Sequence, residues 1–190
     1  MPTPARTSVK NIVRTARLVL EAEGLEGLTM QRIAAEVGVR SPSLYKHVRN
    51  RADLIRQVTE DVAGQLATLV ERSASTGDPA SALRAIARSF RAFARTHPGA
   101  YGLIFGPMPD EWRAAPETLA RATEVLIRST SALAGPDHAL EAARTVVAWA
   151  HGFVAMELAG AFRMGGEVDD AFEFGLERII DALSAGERGT

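Results

Sequence analysis

Residues 29–48 read Thr-Met-Gln-Arg-Ile-Ala-Ala-Glu-Val-Gly-Val-Arg-Ser-Pro-Ser-Leu-Tyr-Lys-His-Val, and this stretch decides the fold. Thr29 is an N-cap residue ahead of Ile33, Ala34 and Val37, which are apolar at helical spacing, and Gly38 supplies the stop. Ser41-Pro42-Ser43 then opens a second short helix, Leu44 to Val48. A proline is tolerated there because that N–H would have no intrahelical acceptor. Helix, tight glycine turn, helix is the sequence form of a helix-turn-helix. Leu44 and Val48, four apart, face inward, which leaves Tyr45, Lys46 and His47 on the outer side.

Upstream, Ile12, Ala16, Val19 and Leu20 stripe a first helix over 8–23, with Gly24 placed for a left-handed ending. Downstream, Asn50 caps a fourth helix that carries Leu54, Val58, Val62, Leu66 and Leu69 to about residue 73. Residues 73–79 form a polar loop. An amphipathic helix over 80–95 is broken at His97-Pro98-Gly99, and a short apolar segment, Tyr101 to Phe105, is followed by a second break at 106–109. Helices near 115–134, 137–163 and 169–185 complete an all-α chain of about nine helices. The reading divides it into a three-helix head, residues 1–50, and a helical body, residues 51–190.

Charge separates the same two parts. Residues 1–51 hold nine Lys and Arg against four Glu, whereas the remainder holds 13 basic against 19 acidic residues. A basic head on an acidic body points to a polyanion partner for the head. With no cysteine, disulfides, thiolate catalysis and Cys-ligated zinc are excluded. Four scattered histidines (47, 97, 138, 151), no H-E-x-x-H, no phosphate-binding glycine loop and no G-x-S-x-G leave an enzyme without machinery, and imply no cofactor or metal. No apolar core follows Met1–Arg6, so no secretory signal is read, and Val146–Phe162, interrupted by His151 and Glu157, is too short to span a bilayer. A cytoplasmic protein with no membrane partner is the expectation. Arginine outnumbers lysine 20 to 2, a usage that suits a GC-rich bacterial genome.

Ile12, Ala16, Gly24, Thr29, Ile33-Ala34, Val37-Gly38-Val39, Ser43 to Val48 and Arg51 to Leu54 together resemble the tetracycline-repressor (TetR) family. Val48 stands where that family usually has an aromatic, and Arg51 where it usually has lysine; both substitutions keep the chemistry. Ala148-Trp149-Ala150-His151-Gly152 is similar to the tryptophan–histidine–glycine branch of its C-terminal domains. The resemblance implies a ligand-responsive repressor that binds a double-stranded operator and dimerises through its last two helices.

The residues suit that role. An α-helix enters the major groove of B-DNA with its first residues at base edges. Here those are Arg40, Ser41 and Ser43, with Lys46 one turn on; Arg40 and Lys46 can donate to guanine, and serines to either base pair. Tyr45 and His47 flank them toward phosphate, and Thr29 and Arg51 sit at helix starts, where free N–H groups favour phosphate. Arg40 and Thr29 suit a DNA contact or a solvated turn equally. For a small-molecule effector the candidates are Phe90, Phe93, His97, Tyr101, Phe105, Met108, Trp112, His151 and Glu157, an aromatic set with a few polar groups. For a homodimer they are the small stripe Ala148, Gly152, Ala155 and Ala159 and the large stripe Phe172, Leu176, Ile179 and Leu183, although some of these positions must pack inside one subunit instead. A constitutive architectural DNA-binding protein that never meets a ligand is the alternative.

Overall fold

The computed structural model describes residues 8–75 and 77–185; Met1–Arg6, with the head cation Arg6, and residue 76 of the expected loop lie outside them. Among the described residues are nine α-helices and two short 3-10 turns, with no strand: α1 Val9–Gly27, α2 Met30–Val37, α3 Ser41–Leu44, α4 Arg51–Ser73, α5 Pro79–Thr96, α6 Pro98–Phe105, α7 Pro116–Ala134, α8 Ala139–Leu158 and α9 Val168–Ala185. Among the described residues no helix is long and apolar enough to cross a membrane.

The local signals operate as their chemistry requires. Ser8 Oγ accepts the Asn11 N–H at 3.2 Å, and Thr29 Oγ1 accepts the Arg32 N–H at 3.1 Å. Gly24 takes φ 70° inside α1, and Gly38 is left-handed at the end of α2, conformations that cost a residue with a Cβ. The start of α6 and the end of α8 differ from expectation. His97-Pro98-Gly99 does not only end α5; Pro98 is the first residue of α6, where its fixed φ is already helical. The α8 helix stops at Leu158 rather than residue 163, because Gly160 turns left-handed and Ala161 N–H bonds back to Met156 O at 2.9 Å.

The described residues form two compact units. One takes the chain up to Gln65 together with His97–Thr118; the other takes Leu66–Thr96 and the chain from Leu119 onward. The expected division at residue 50 falls inside the first unit. Its core is Ile12, Ala16, Leu28, Ile33, Leu44, Leu54, Ile55 and Val58, none more than 0% exposed, joined by Val48, Ala100 and Tyr101.

In the second unit Leu83, Ala87, Leu133, Val146, Phe172, Leu176 and Ile180 make the core, with Trp149, Phe153, Ile179 and Leu183 packed against it. This corrects the expected use of α9. Phe172 and Leu176, assigned to a subunit contact, are 0% exposed within one chain. The stripe of large apolar side chains is the one a helix must bury first, whereas Ala148, Gly152 and Ala155 of α8 and Ala159 at its C-cap face outward. The glycine that allows close helix approach is Gly175, not Gly152. A Cβ on Gly175 would stand 2.7 Å from the Trp149 ring, and one on Gly152 would meet nothing within 4 Å.

A row of arginines on α5 answers a row of carboxylates. Arg84 binds Glu177 (2.8 Å), Arg88 binds Glu173 (2.7 Å), Arg91 binds Glu157 (2.7 Å) and Asp169 (2.6 Å), and Arg95 reaches Asp169 (3.3 Å). The hydrogen bonds from Arg84 hold the Glu177 carboxyl below its ordinary range.

Candidate nucleic-acid interface

The recognition segment is shorter than its sequence suggests. Only Ser41–Leu44 is regular helix; Tyr45, Lys46 and His47 lie in the turn that follows, closed by His47 N–H to Leu44 O at 2.9 Å and Val48 N–H to the same oxygen at 3.1 Å. Leu44 and Val48 anchor it from beneath at 0% and 1% exposure. Arg40, Tyr45 and Lys46 are exposed, Tyr45 at 53%, and Ser41, Ser43 and His47 are half-buried. The spacing therefore sorts this segment into an inner and an outer side, as a packed short helix must. Thr29 remains exposed while it caps α2.

The basic character of the head is much reduced once its ion pairs are counted. Arg32 binds Glu23 at 2.7 Å and Glu36 at 2.6 Å; its guanidinium is raised above the ordinary range by its hydrogen bonds to Glu23, then to Glu36. Arg17 reaches Asp61 at 3.3 Å. Arg49 lies beside Asp53 at 3.4 Å. Arg51 corrects an expectation outright. Rather than facing phosphate, it donates from Nε to Leu28 O (2.8 Å) and from Nη2 to Leu25 O (2.7 Å), beneath the Trp112 ring at 5.5 Å. The carbonyls at the end of α1 lack helical partners and attract a cation. Among the described head residues, Lys10, Arg14, Arg40 and Lys46 are left without a carboxylate partner or a buried role.

The linker out of the recognition segment is held by Asp53, whose side chain is 6% exposed. Its carboxylate accepts the Arg49 N–H (2.9 Å), Arg56 Nη2 (2.9 Å) and Gln57 Nε2 (3.1 Å), while Asn50 Oδ1 caps the Asp53 N–H at 2.9 Å. Burial by itself would raise the carboxyl. The Arg49 backbone bond, the Arg56 and Arg49 side-chain bonds and the nearby Arg49 charge together outweigh it, and bring the pKa down to about 2 from 3.8.

The nine expected effector residues divide between the two units. His97, Tyr101, Phe105, Met108 and Trp112 belong to the first, with the Tyr101 and Phe105 rings 5.1 Å apart and burial pushing the Tyr101 phenol up. Phe90, Phe93, His151 and Glu157 belong to the second. Glu157 is taken by Arg91, which corrects its reading as a polar group left for a ligand. A groove on the first unit is lined by Val9, Lys10, Val13, Arg56, Gln57, Glu60 and Asp61, and by none of the nine. Sequence reasoning missed Glu21 and Glu60, whose carboxylates bind backbone N–H groups of Gly99, Ala100 and Ala115 far along the chain. No local pattern marks such long-range caps. The α5 arginines at i, i+4, i+7 and i+11 were a legible signal, because the acidic residues of α9 share that period.

Comparison with known proteins agrees with this geometry. Residues 7–58 match the family model of bacterial regulatory proteins, tetR family, and residues 83–179 match a tetracyclin repressor-like C-terminal domain. The HTH-type transcriptional regulator Rv0681 of Mycobacterium tuberculosis is 33% identical over 162 residues, 83% of this chain and 73% of that one. Tetracycline repressor protein class E of Escherichia coli is 38% identical over 58 residues, 30% of this chain and 28% of its own length. Among solved structures, regulatory protein SCO4313 superposes with TM-score 0.78 at 27% identity, covering 93% of this chain and 98% of that one. A tetracycline-repressor variant of Acinetobacter baumannii, solved with minocycline, gives TM-score 0.69 at 25% identity, over 94% of this chain and 97% of its own.

Proposed function

The chain belongs to the tetracycline-repressor family of DNA-binding transcriptional regulators, and on that premise we propose that it is a repressor, bound as a homodimer to a palindromic operator and released by a small, mostly apolar molecule. One observation carries the DNA reading. Arg40, Tyr45 and Lys46 stand exposed on a segment whose other side, Leu44 and Val48, is fully buried, while the neighbouring cations Arg32 and Arg51 are already engaged inside the head. Side chains left over in this way are the ones able to reach base edges and phosphate.

Two further features support the finer points. On α8, Ala148, Gly152 and Ala155 are exposed together with Val147, Met156, Leu158 and the capping Ala159, and on α9 Phe174 is 69% exposed. Apolar faces on the last two helices suit a two-fold contact. An effector is favoured by the solved relative that holds minocycline.

The test is enrichment of duplexes from a genomic library, then titration against salt. Palindromic sites with half-site centres about 34–36 Å apart are expected. Among the described residues the four head cations without a carboxylate partner, Lys10, Arg14, Arg40 and Lys46, would contribute about −7 to the log–log salt slope of a dimer. A slope near zero, or no duplex enriched, refutes the reading.

A further inference from the structure

The helix-turn-helix is bracketed in sequence by Leu28, just before its first cap, and Arg51, just after its last turn. Arg51 ties these two ends together. Its Nε donates to Leu28 O at 2.8 Å and its Nη2 to Leu25 O at 2.7 Å, so one guanidinium closes the loop of chain that holds both DNA-reading helices. A planar guanidinium with donors in a fixed fork suits two carbonyls at once.

Trp112 covers that junction, with Arg51 Cζ 5.5 Å from the indole centroid. A cation over an indole face is attracted by the ring quadrupole, the more so where water is excluded. The indole Nε1 itself is buried. The segment that delivers Trp112 is fastened on both sides. Glu21 of α1 accepts the N–H groups of Gly99 and Ala100, each at 2.9 Å. Glu60 of α4 accepts the Ala115 N–H at 2.9 Å and the Thr118 hydroxyl. Gly99 makes the first attachment fit, because a Cβ there would stand 3.0 Å from Leu20 O and 3.1 Å from Glu21 Oε2. All these groups belong to the first compact unit.

We propose that Trp112 is a positioning residue for the helix-turn-helix: held by Glu21 and Glu60, it caps the Arg51 guanidinium and keeps the two ends of the DNA-reading segment joined. Segment 97–118 is thus a structural part of the head, although some 50 residues of chain separate the two. The proposal concerns the geometry of the head and rests on the DNA-binding reading only for its consequence in affinity.

The experiment takes the full chain with Trp112→Ala, Trp112→Phe, Arg51→Lys and the Trp112→Ala/Arg51→Lys pair. It has two readouts, amide exchange over residues 25–50 and affinity for the duplex that the unaltered chain enriches from a random-sequence library. Trp112→Ala and Arg51→Lys should each speed exchange in that window about tenfold, with Trp112→Phe within about threefold of the unaltered chain. Because the two residues form one contact, the pair should be little worse than either single change, where independence would give about a hundredfold. DNA affinity should fall in the same order. Unchanged exchange in Trp112→Ala overturns the proposal. So does a multiplicative effect in the pair, or an acceleration spread equally over the buried amides of α1 and α6, which would mean general loosening. If exchange follows expectation while no duplex is enriched, the clamp stands and the DNA-binding reading fails.

Discussion

Replacing Asp53 by asparagine probes how the recognition segment is held to α4. The carboxylate is almost fully buried and gathers donors from Arg49, Arg56 and Gln57. Its pKa falls from 3.8 to about 2. At 1.36 kcal/mol per unit, that depression corresponds to about 2 kcal/mol of folding stability. Because the folded-state pKa lies below the unfolded one, this contribution is fully present above about pH 4 and is lost as pH falls toward about 2. Asparagine keeps one acceptor oxygen for the Arg49 N–H but removes the charge, and presents an NH2 to donors that need an acceptor. Asp53→Asn should therefore be less stable than the unaltered chain by about 2 kcal/mol at neutral pH, and the gap should close on acidification as the native carboxyl protonates. The assay is urea denaturation of both proteins across the acid range, followed by circular dichroism. All other titrating groups are shared, so they cancel in the difference. A gap that stays constant from neutral pH to about pH 3, or no gap at all, would refute the electrostatic origin assigned to Asp53.

Tyr45→Ala and Lys46→Ala should strongly weaken DNA binding in a gel-shift titration and leave the melting temperature nearly unchanged, whereas Leu44→Ala should cost about 2–5 kcal/mol in denaturation as a core truncation. Gly175→Ala should destabilise by about 1–3 kcal/mol, because its Cβ meets the Trp149 ring, a clash visible as a shift of the Trp149 indole resonance. Gly152→Ala, on an open helical surface, should raise chain stability by up to about 1 kcal/mol, and Gly152→Trp should shift the mass seen by light scattering from dimer to monomer. Arg91→Ala strips the cation from Glu157 and from the Phe172 face 4.6 Å away, and should cost about 3 kcal/mol; Arg88→Ala, at a half-exposed pair, should cost under about 1 kcal/mol in the same thermal melts.

The helix-turn-helix was legible because every signal that defines it is local. Thr29, Gly38, Pro42 and Asn50 act on backbone within three or four residues, and Leu44 with Val48 reports a buried face through spacing alone. The outer set Tyr45, Lys46 and His47 followed by subtraction from that face, and of these Tyr45 and Lys46 are exposed and His47 half-buried. Burial on α9 was not legible in the same way. Phe172, Leu176, Ile179 and Leu183 show that α9 has an apolar face but not whether its own chain or a second copy covers it; the fold spends that face on its own core.

Charge shows where sequence stops. The order of residues by itself determined that residues 1–51 are basic, that the chain is helical, and that the head carries a helix-turn-helix, since propensity, capping and periodicity act over one or two turns. Only the tertiary structure decided which cations stay available. Arg32 is consumed by Glu23 and Glu36, Arg17 by Asp61, and Arg51 by carbonyls of α1 under Trp112, 61 residues further on. A charge is read from its residue type, but its availability depends on what lies within about 4 Å of it, and that distance bears no relation to separation along the chain.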